Sequence, residues 1–273
     1  MKHNYDMGYG SEPFATLCNK HPDVPIYPQE DFRTEWGPIF HRGRLDGSAR
    51  LLVIGQDPAA HESVARRILI GEAGQRVQGF IAKLGITKSY VMINTFLYSV
   101  YGQGGGEKHK DDKPITAYRN LWLNALVLGQ QVEAVITLGG LAAEAWEKWK
   151  STPKAKGLKL PLAKMIHPTY PESSSKGDPM KLAAATKKLL ENWNEALTLL
   201  HAAIRHPDIS TDLVTYSEAF QPGDLVEIPE SDLPPGTPAW MRGLKAWASR
   251  TGETAAKKRA TITVKVPSGF LPG

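Results

Sequence analysis

Four short apolar runs, each pair separated by a helical pattern, restrict this chain to few folds. The runs are RLLVIGQ from Arg50, SYVMINTF from Ser89, EAVITLG from Glu133 and LAKMIHP from Leu162, with the length and β-branched content of buried strands. Between them, AGQRVQGFIAKLG sets Val77, Phe80, Ile81 and Leu84 on one helix face, and Gly85 stops it. TAYRNLWLNALVLG repeats the spacing with Tyr118, Leu121, Trp122, Ala125 and Leu126, and LAAEAWEKW starts a third helix after Gly139 and Gly140. A fourth opens with Asp178 as N-cap and Pro179 in its first turn, and carries Leu182, Leu189, Leu197 and Leu200 towards His206. Strands alternating with helices pair in parallel, because parallel neighbours need crossover connections. The expected fold is α/β, a three-layer sandwich with a mostly parallel four-stranded central sheet flanked by helices.

That pattern occupies residues 50–206, the expected catalytic core. Residues 1–49, rich in proline and aromatics, read as an N-terminal arm packed on the core with one short helix. Residues 207–273 read as a C-terminal extension, either edge strands or a docked tail: QPGDLVEIPESDLPPGTPAW is proline-rich, and KKRATITVKVPSG alternates over Thr261 to Val266. With 273 residues and 41% hydrophobic content the chain has ample material for a sizeable core. No apolar run approaches the ~20 residues of a membrane span. The stretch MKHNYDMGYGSEPF lacks both the apolar segment and the cleavage site of a signal peptide, so the cytoplasm is the expected compartment. Cys18 is the single cysteine, which excludes an internal disulfide, a cysteine-ligated cluster and a cysteine zinc site.

In parallel sheets ligands bind beyond the carboxyl ends of the strands. Asp57 follows the first run, Asn94 and Phe96 end the second, Gly139 and Gly140 follow the third, and His167 follows the fourth. An acid, an amide and an imidazole therefore converge on one rim. Singly, each has a bland role: Asp57 before Pro58 caps a helix, His167 before Pro168 fills a turn, Asn94 satisfies backbone groups. The net charge of +5 is mild, but basic residues cluster at Arg66, Arg67 and Arg76, at Lys108, Lys110 and Lys113, and from Lys150 to Lys164. A solvated face and a phosphate-tracking groove both fit them. Other motifs fail. His61-Glu62 begins a zinc-helix signature, but Ala65 stands where its second histidine belongs. GQGGGEKHK at Gly102 to Lys110 lacks the ending of a phosphate loop and reads as a mobile surface loop. No serine-nucleophile elbow is found.

Taken together, the rim residues resemble the uracil-DNA glycosylase superfamily over about Arg50 to Leu200. GQDPAAHE at Gly55 to Glu62 is similar to the Gly-Gln-Asp-Pro motif of the family-one enzymes. HPTYPE at His167 to Glu172 is similar to their second motif, and SYVMINTF carries the asparagine that reads the uracil edge. RRILIGEAGQRVQGFIAKLGI is closer to the iron-sulfur, family-four branch, so the chain resembles a hybrid of the two. It departs from both patterns. The cluster cysteines are absent, Ala59 replaces the family-one tyrosine that blocks the thymine methyl, and Leu69 aligns with the phenylalanine that stacks on uracil.

The resemblance implies a glycosylase that flips uracil out of DNA and hydrolyses its N-glycosidic bond, leaving an abasic site, as in base excision repair. It implies no cofactor and a uracil-containing DNA partner; the failed zinc motif gives no metal, the apolar runs give no membrane, and a single catalytic pocket needs no second chain, so a monomer is expected. Asp57 would position water and stabilise the sugar cation; His167 would donate a hydrogen bond to the uracil O2. Asn94 would read O4 and N3–H, with Gln56, Phe96, Glu62 and Leu69 around the base. Phe80 is a second candidate for the stacking ring, although it also suits a core helix face. Arg66, Arg67, Thr169 and Tyr170 would hold the DNA, Tyr170 at the vacated stack. The alternatives are a glycosylase for another deaminated or mismatched base, and a non-catalytic module that binds flipped or abasic DNA.

Overall fold

A strand that lies between two helix layers must be apolar on both faces, and the four apolar runs meet that demand. The computed structural model describes residues 9–102, 105–243 and 246–270. Its strands are His41–Gly43 (β1), Leu51–Gly55 (β2), Tyr90–Asn94 (β3), Ala134–Leu138 (β4), Leu162–Met165 (β5), Ala248–Ser249 (β6) and Thr263–Val264 (β7). Its helices are Phe14–Asn19 (α1), Ala60–Ala65 (α2), Glu72–Lys83 (α3), Gly105–His109 (α4), Lys113–Val127 (α5), Gly140–Lys150 (α6), Tyr170–Ser175 (α7), Pro179–Ala203 (α8), Trp240–Gly243 (α9) and Ala255–Ala260 (α10). None is long and apolar enough, among the described residues, to cross a membrane.

The central sheet runs β1-β3-β2-β4-β5, and its last four strands are parallel. Leu52, Ile54, Val91, Ile93 and Val135 pack on one face with Tyr118 and Trp122 of α5 and Trp146 and Trp149 of α6. Leu51, Val53, Tyr90, Met92 and Ile136 pack on the other with Val77, Phe80 and Ile81 of α3 and Leu189, Trp193 and Leu197 of α8. The result is the expected three-layer sandwich. Each fully buried side chain of this kind contributes about 1.5–3 kcal/mol relative to exposure. Asp178 caps α8 as expected, its Oδ1 accepting from the Met180 and Lys181 amides at 2.9 and 3.2 Å. Two stripe positions differ: Leu121 is 49% exposed while Leu123 takes the core position, and Leu182 also faces solvent.

The sheet has five strands where the apolar pattern gives four. The added strand, β1, comes from the N-terminal arm and pairs antiparallel with β3, His41 opposite Ile93 and Arg42 opposite Met92. Its residues carry no apolar alternation, so the pattern does not reveal it. Both polar side chains are nevertheless buried, because each finds partners. His41 Nδ1 meets the Tyr9 hydroxyl at 3.1 Å. Arg42 donates to the Ile68 carbonyl at 3.0 Å, to Gln78 Oε1 at 3.0 Å and to Asp232 Oδ2 at 2.7 Å.

Asp232 belongs to the C-terminal extension, which wraps the core. Tyr216 and Phe220 pack against Trp193 of α8, Asp224 pairs with Lys83 of α3 at 3.1 Å, and Asp232 reaches the sheet edge at Arg42 and the Tyr90 hydroxyl. Trp247 and Ala248 then join Ala65, Ile70, Ile228 and Leu233 in a third, smaller apolar cluster. Among the described residues, strands β6 and β7 pair with each other and not with the central sheet. The glycine-rich segment also differs from a plain loop. Gln103 and Gly104 lie outside the described residues, and α4 follows them, with Gly106 buried.

Replacing Asp232 with alanine leaves the Arg42 charge buried and unpaired. Breaking such a pair from one side costs about 3–5 kcal/mol. Asp232→Ala is therefore expected to lower the urea midpoint by a corresponding amount, measured by equilibrium denaturation, although Asp232 is remote in sequence from the core.

Candidate active site

Strand β2 is followed in sequence by β3 on one side of it, and the chain then crosses to β4 on the other. The carboxyl ends of β2 and β4 thus flank a topological switch point, where open α/β sheets bind ligands. The loops after β2 and β5 carry Asp57 and His167 to this rim, and β3 ends on it at Asn94.

The polypeptide after β3 is stitched to that after β2. The Thr95 amide and hydroxyl donate to the Gly55 carbonyl at 2.9 and 3.0 Å, and the Phe96 amide donates to the Gln56 carbonyl at 2.9 Å. The Val100 amide donates to Asp57 Oδ2 at 2.9 Å. Gly55 is required here because a Cβ would run into Asn94 Oδ1. On the other side of the switch point, Gly139 adopts φ +87°, and a Cβ on it would stand 3.7 Å from the His167 Cβ.

Asp57 is half-buried. Its carboxyl is pushed up to about 6, chiefly by burial, with the nearby Glu62 charge acting in the same direction. The Val100 amide, the Gln56 side chain and the Arg33 charge oppose the shift. Asp57 thus remains mostly ionised at neutral pH while being more basic than an ordinary carboxylate. His167 is shifted down from its usual range by burial, so it is a neutral imidazole there. Its Nδ1 accepts from the Thr169 amide at 3.3 Å and lies 3.0 Å from the Thr169 hydroxyl. An amide N–H only donates, so Nδ1 is the acceptor and the ring proton sits on Nε2.

Arg76 holds the His167 loop. It donates to the Pro168 carbonyl at 2.5 Å, to Glu172 through both carboxylate oxygens at 2.7 and 3.1 Å, and to Glu72 at 2.8 Å. Grouped with Arg66 and Arg67 as basic sequence, it is a clamp between α3 and the β5 loop. The readable signal was Glu72 four residues before it, an i,i+4 helix pair.

The other site candidates divide. Glu62 is buried, and its two oxygens accept from the Ala59 amide at 3.0 Å and the Ile70 amide at 3.2 Å. It closes α2 and the loop after it rather than presenting a free carboxylate. Leu69 is buried in the core with φ +53°. Phe96 and Phe80 are both fully buried, the first 5.6 Å from Phe32 and the second 5.5 Å from Trp193, so neither ring has an open face. Arg66 donates to the Trp36 and Pro38 carbonyls at 2.6 and 2.7 Å, tying the N-terminal arm to α2. Arg67 donates to the Arg66 carbonyl at 2.9 Å and lies over Tyr9. Tyr170 begins α7, its amide donating to the His167 carbonyl at 2.9 Å, with Lys188 over its ring at 5.9 Å.

His61, which the sequence offers only as a failed zinc motif, docks the C-terminal extension. Its Nε2 accepts from the Trp247 and Ala248 amides at 3.1 and 3.2 Å, and the Trp247 ring meets it edge-on at 4.8 Å. A Cβ on Gly71 would stand 2.9 Å from its Nδ1, so that glycine gives the ring its room. The Cys18 thiol is pushed up to about 12 by burial, which disfavours the thiolate that a nucleophile needs.

A family model described as the Uracil DNA glycosylase superfamily matches residues 42–198. This is more than half of the chain and includes Asp57, Asn94 and His167. A search of curated proteins gives no match.

Glu62→Ala removes the acceptor of two backbone amides, each worth about 1–3 kcal/mol when left buried and unsatisfied. The expected result is a lower urea midpoint together with a lower Asp57 pKa, because the like charge that raises it has gone. Urea denaturation and a carboxyl titration by NMR check the two effects separately.

Proposed function

The chain belongs to the uracil-DNA glycosylase superfamily, and from that premise we propose that it removes uracil from DNA by hydrolysing the N-glycosidic bond, leaving an abasic site. The observation that carries the reading is the pairing of an Asp57 carboxyl raised to about 6 with a neutral, Nε2-protonated His167 on one sheet rim.

Breaking the bond between deoxyribose and uracil leaves positive charge on the sugar and negative charge on the base. Asp57, ionised at neutral pH, offsets the first and accepts a proton from the attacking water. The His167 Nε2–H donates towards the developing charge on uracil O2. Because the ring is neutral it needs no counter-ion in a half-buried pocket. Asn94 offers its carbonyl oxygen to N3–H and its NH2 to O4, a polarity that cytosine mismatches at both positions. The base reaches this pocket by leaving the stack, at a cost of a few kcal/mol.

Ala59 supports a second reading, a glycosylase for other deaminated or mismatched bases. It is exposed and ends at a methyl group, so at this position only a methyl and the backbone stand where a tyrosine closes the pocket in the family-one motif. Glu62 fixes that backbone through the Ala59 amide. Uracil is expected to be strongly preferred over thymine in excision assays on duplexes with guanine opposite. Efficient thymine release would favour the second reading.

Incubation with uracil-containing oligonucleotides followed by alkali tests the activity directly. Asp57→Asn and His167→Ala are each expected to lower single-turnover cleavage by on the order of 100-fold or more, with DNA binding nearly unchanged. The wild-type rate should fall about tenfold per unit as pH drops below about 6, since protonation removes the working form of Asp57. Asp57→Asn should lose that acid limb, and its persistence would assign the limb to another group. Asn94→Asp should lose uracil excision, and an unchanged rate would move base reading elsewhere.

A further inference from the structure

The two segments outside the family-matched residues meet beside Asp57, and both bring arginines. In the N-terminal arm, Phe32 forms an antiparallel bridge with Val100, the residue whose amide holds Asp57. The Arg33 amide donates to the Ser99 carbonyl at 2.9 Å. Arg33 is thereby fixed next to the catalytic loop, with its guanidinium 4.1 Å from the centre of the Tyr101 ring. From the C-terminal extension, Arg259 lies 4.0 Å from the centre of the same ring. Arg250 follows β6, the strand next to the residues that His61 holds, and its Nη2 is 3.5 Å from Ser63 Oγ in α2. Its guanidinium lies 5.9 Å from the Trp36 ring.

These three cations are not balanced locally. Among the described residues none of them forms an ion pair. Arg33 Nε and Nη1, Arg250 Nη1 and the Trp36 indole N–H are all shielded from water without an acceptor. The acids that act electrostatically on Arg33 and Arg250 are Glu35, which accepts from the Tyr101 hydroxyl at 3.3 Å, and Asp57, which Val100 holds. Burial and the Arg33 charge both push Arg250 down, to about 10. Arg259 donates only to a backbone carbonyl, that of Glu30 at 3.4 Å; the unsatisfied buried nitrogens of Arg33 and Arg250 and the repulsion between those two charges are costly, and an oxyanion relieves both penalties at once. Arg33 and Arg250 are half-buried and Arg259 is exposed, so an anion reaches them by side-chain adjustment at the rim.

We infer that Arg33, Arg250 and Arg259 form a phosphate-binding site, assembled from both extensions, that holds a DNA phosphodiester beside the nucleotide presented to Asp57. This rests on the glycosylase reading for the nature of the anion. It assigns the C-terminal extension a part in substrate binding, and it accounts for the extension being fastened to α2 immediately after the GQDP loop.

The test measures binding of full-length protein to a single-stranded oligonucleotide carrying a tetrahydrofuran abasic analogue, which no glycosylase cleaves, across a salt series. Losing one phosphate contact reduces the log-log salt slope by about 0.7 on single strands. Arg250→Gln and Arg259→Gln are each expected to show that reduction, whereas Arg250→Lys, which keeps the charge, retains the wild-type slope. Replacing single linkages near the analogue by neutral methylphosphonate should weaken the wild type at one linkage and leave Arg250→Gln indifferent to it. A purely structural role for Arg250 would lower the melting temperature without changing the slope. Unchanged slopes in both glutamine variants, or equal penalties at every linkage in wild type and variant, overturn the site. Arg259, being exposed, keeps the test open if Arg250→Gln folds poorly. A uracil-excision assay on the same proteins separates the two readings. Normal slope changes without excision would leave the phosphate site standing and remove the glycosylase reading; excision with unchanged slopes would do the reverse.

Discussion

The rim depends on one constraint, the continuation of the β2–β3 ladder past the end of the sheet. Parallel pairing brings Gly55 opposite Asn94, and the next bonds run from Thr95 to Gly55, from Phe96 to Gln56 and from Val100 to the Asp57 carboxylate. A loop bearing a reactive acid is ordinarily free to move. Here its backbone and its side chain are both tied to a second loop, which is bridged in turn to the N-terminal arm at Phe32. Gly55 permits this because Asn94 occupies the space a Cβ would need. The same glycine therefore leaves room for the Asn94 amide beside the start of the Asp57 loop.

The parallel core was legible because burial on both faces leaves a continuous apolar run, and all four such runs are strands. The rim residues were legible for the same reason, since strand ends fix where loops begin. What escaped has a common cause: polar residues buried through long-range partners. Strand β1 is His-Arg-Gly, and the counter-charge that makes the burial of Arg42 tolerable is Asp232, 190 residues away. His61 is an acceptor for two amides of the C-terminal extension, which no local pattern encodes. Leu69, placed near the base by the resemblance, and Phe96, placed there by its position at a strand end, are both buried among core neighbours, which their spacing does not reveal.

The arginines show the limit of reading charge from sequence. Arg66 and Arg76 sit in the basic run that looks most like a DNA groove, but their donors go to carbonyls and carboxylates of the protein itself. Arg33, Arg250 and Arg259 are scattered over the chain, and the fold brings them to one place without giving them anionic partners. Whether a guanidinium is available to a phosphate depends on which acceptors the fold supplies, and composition is silent on that.

The burial of Asp57 explains why cations belong near it. Every nucleotide brought to the rim carries phosphate charge with it. A single negative charge at about 7 Å, with an effective dielectric of about 20, disfavours the carboxylate by about 2 kcal/mol, which is more than one pKa unit. Starting from a carboxyl already at about 6, substrate binding alone would raise it past neutrality and silence the group just when it is needed. Arg33 already acts against that rise in the free protein, and Arg250 interacts electrostatically with the same carboxylate. On the proposed phosphate site, these cations would offset the phosphate charge and keep Asp57 ionised when DNA is bound. On that reading, the raised Asp57 carboxyl and the arginines outside the matched family segment are two halves of one electrostatic arrangement, each suited to anionic DNA by the other.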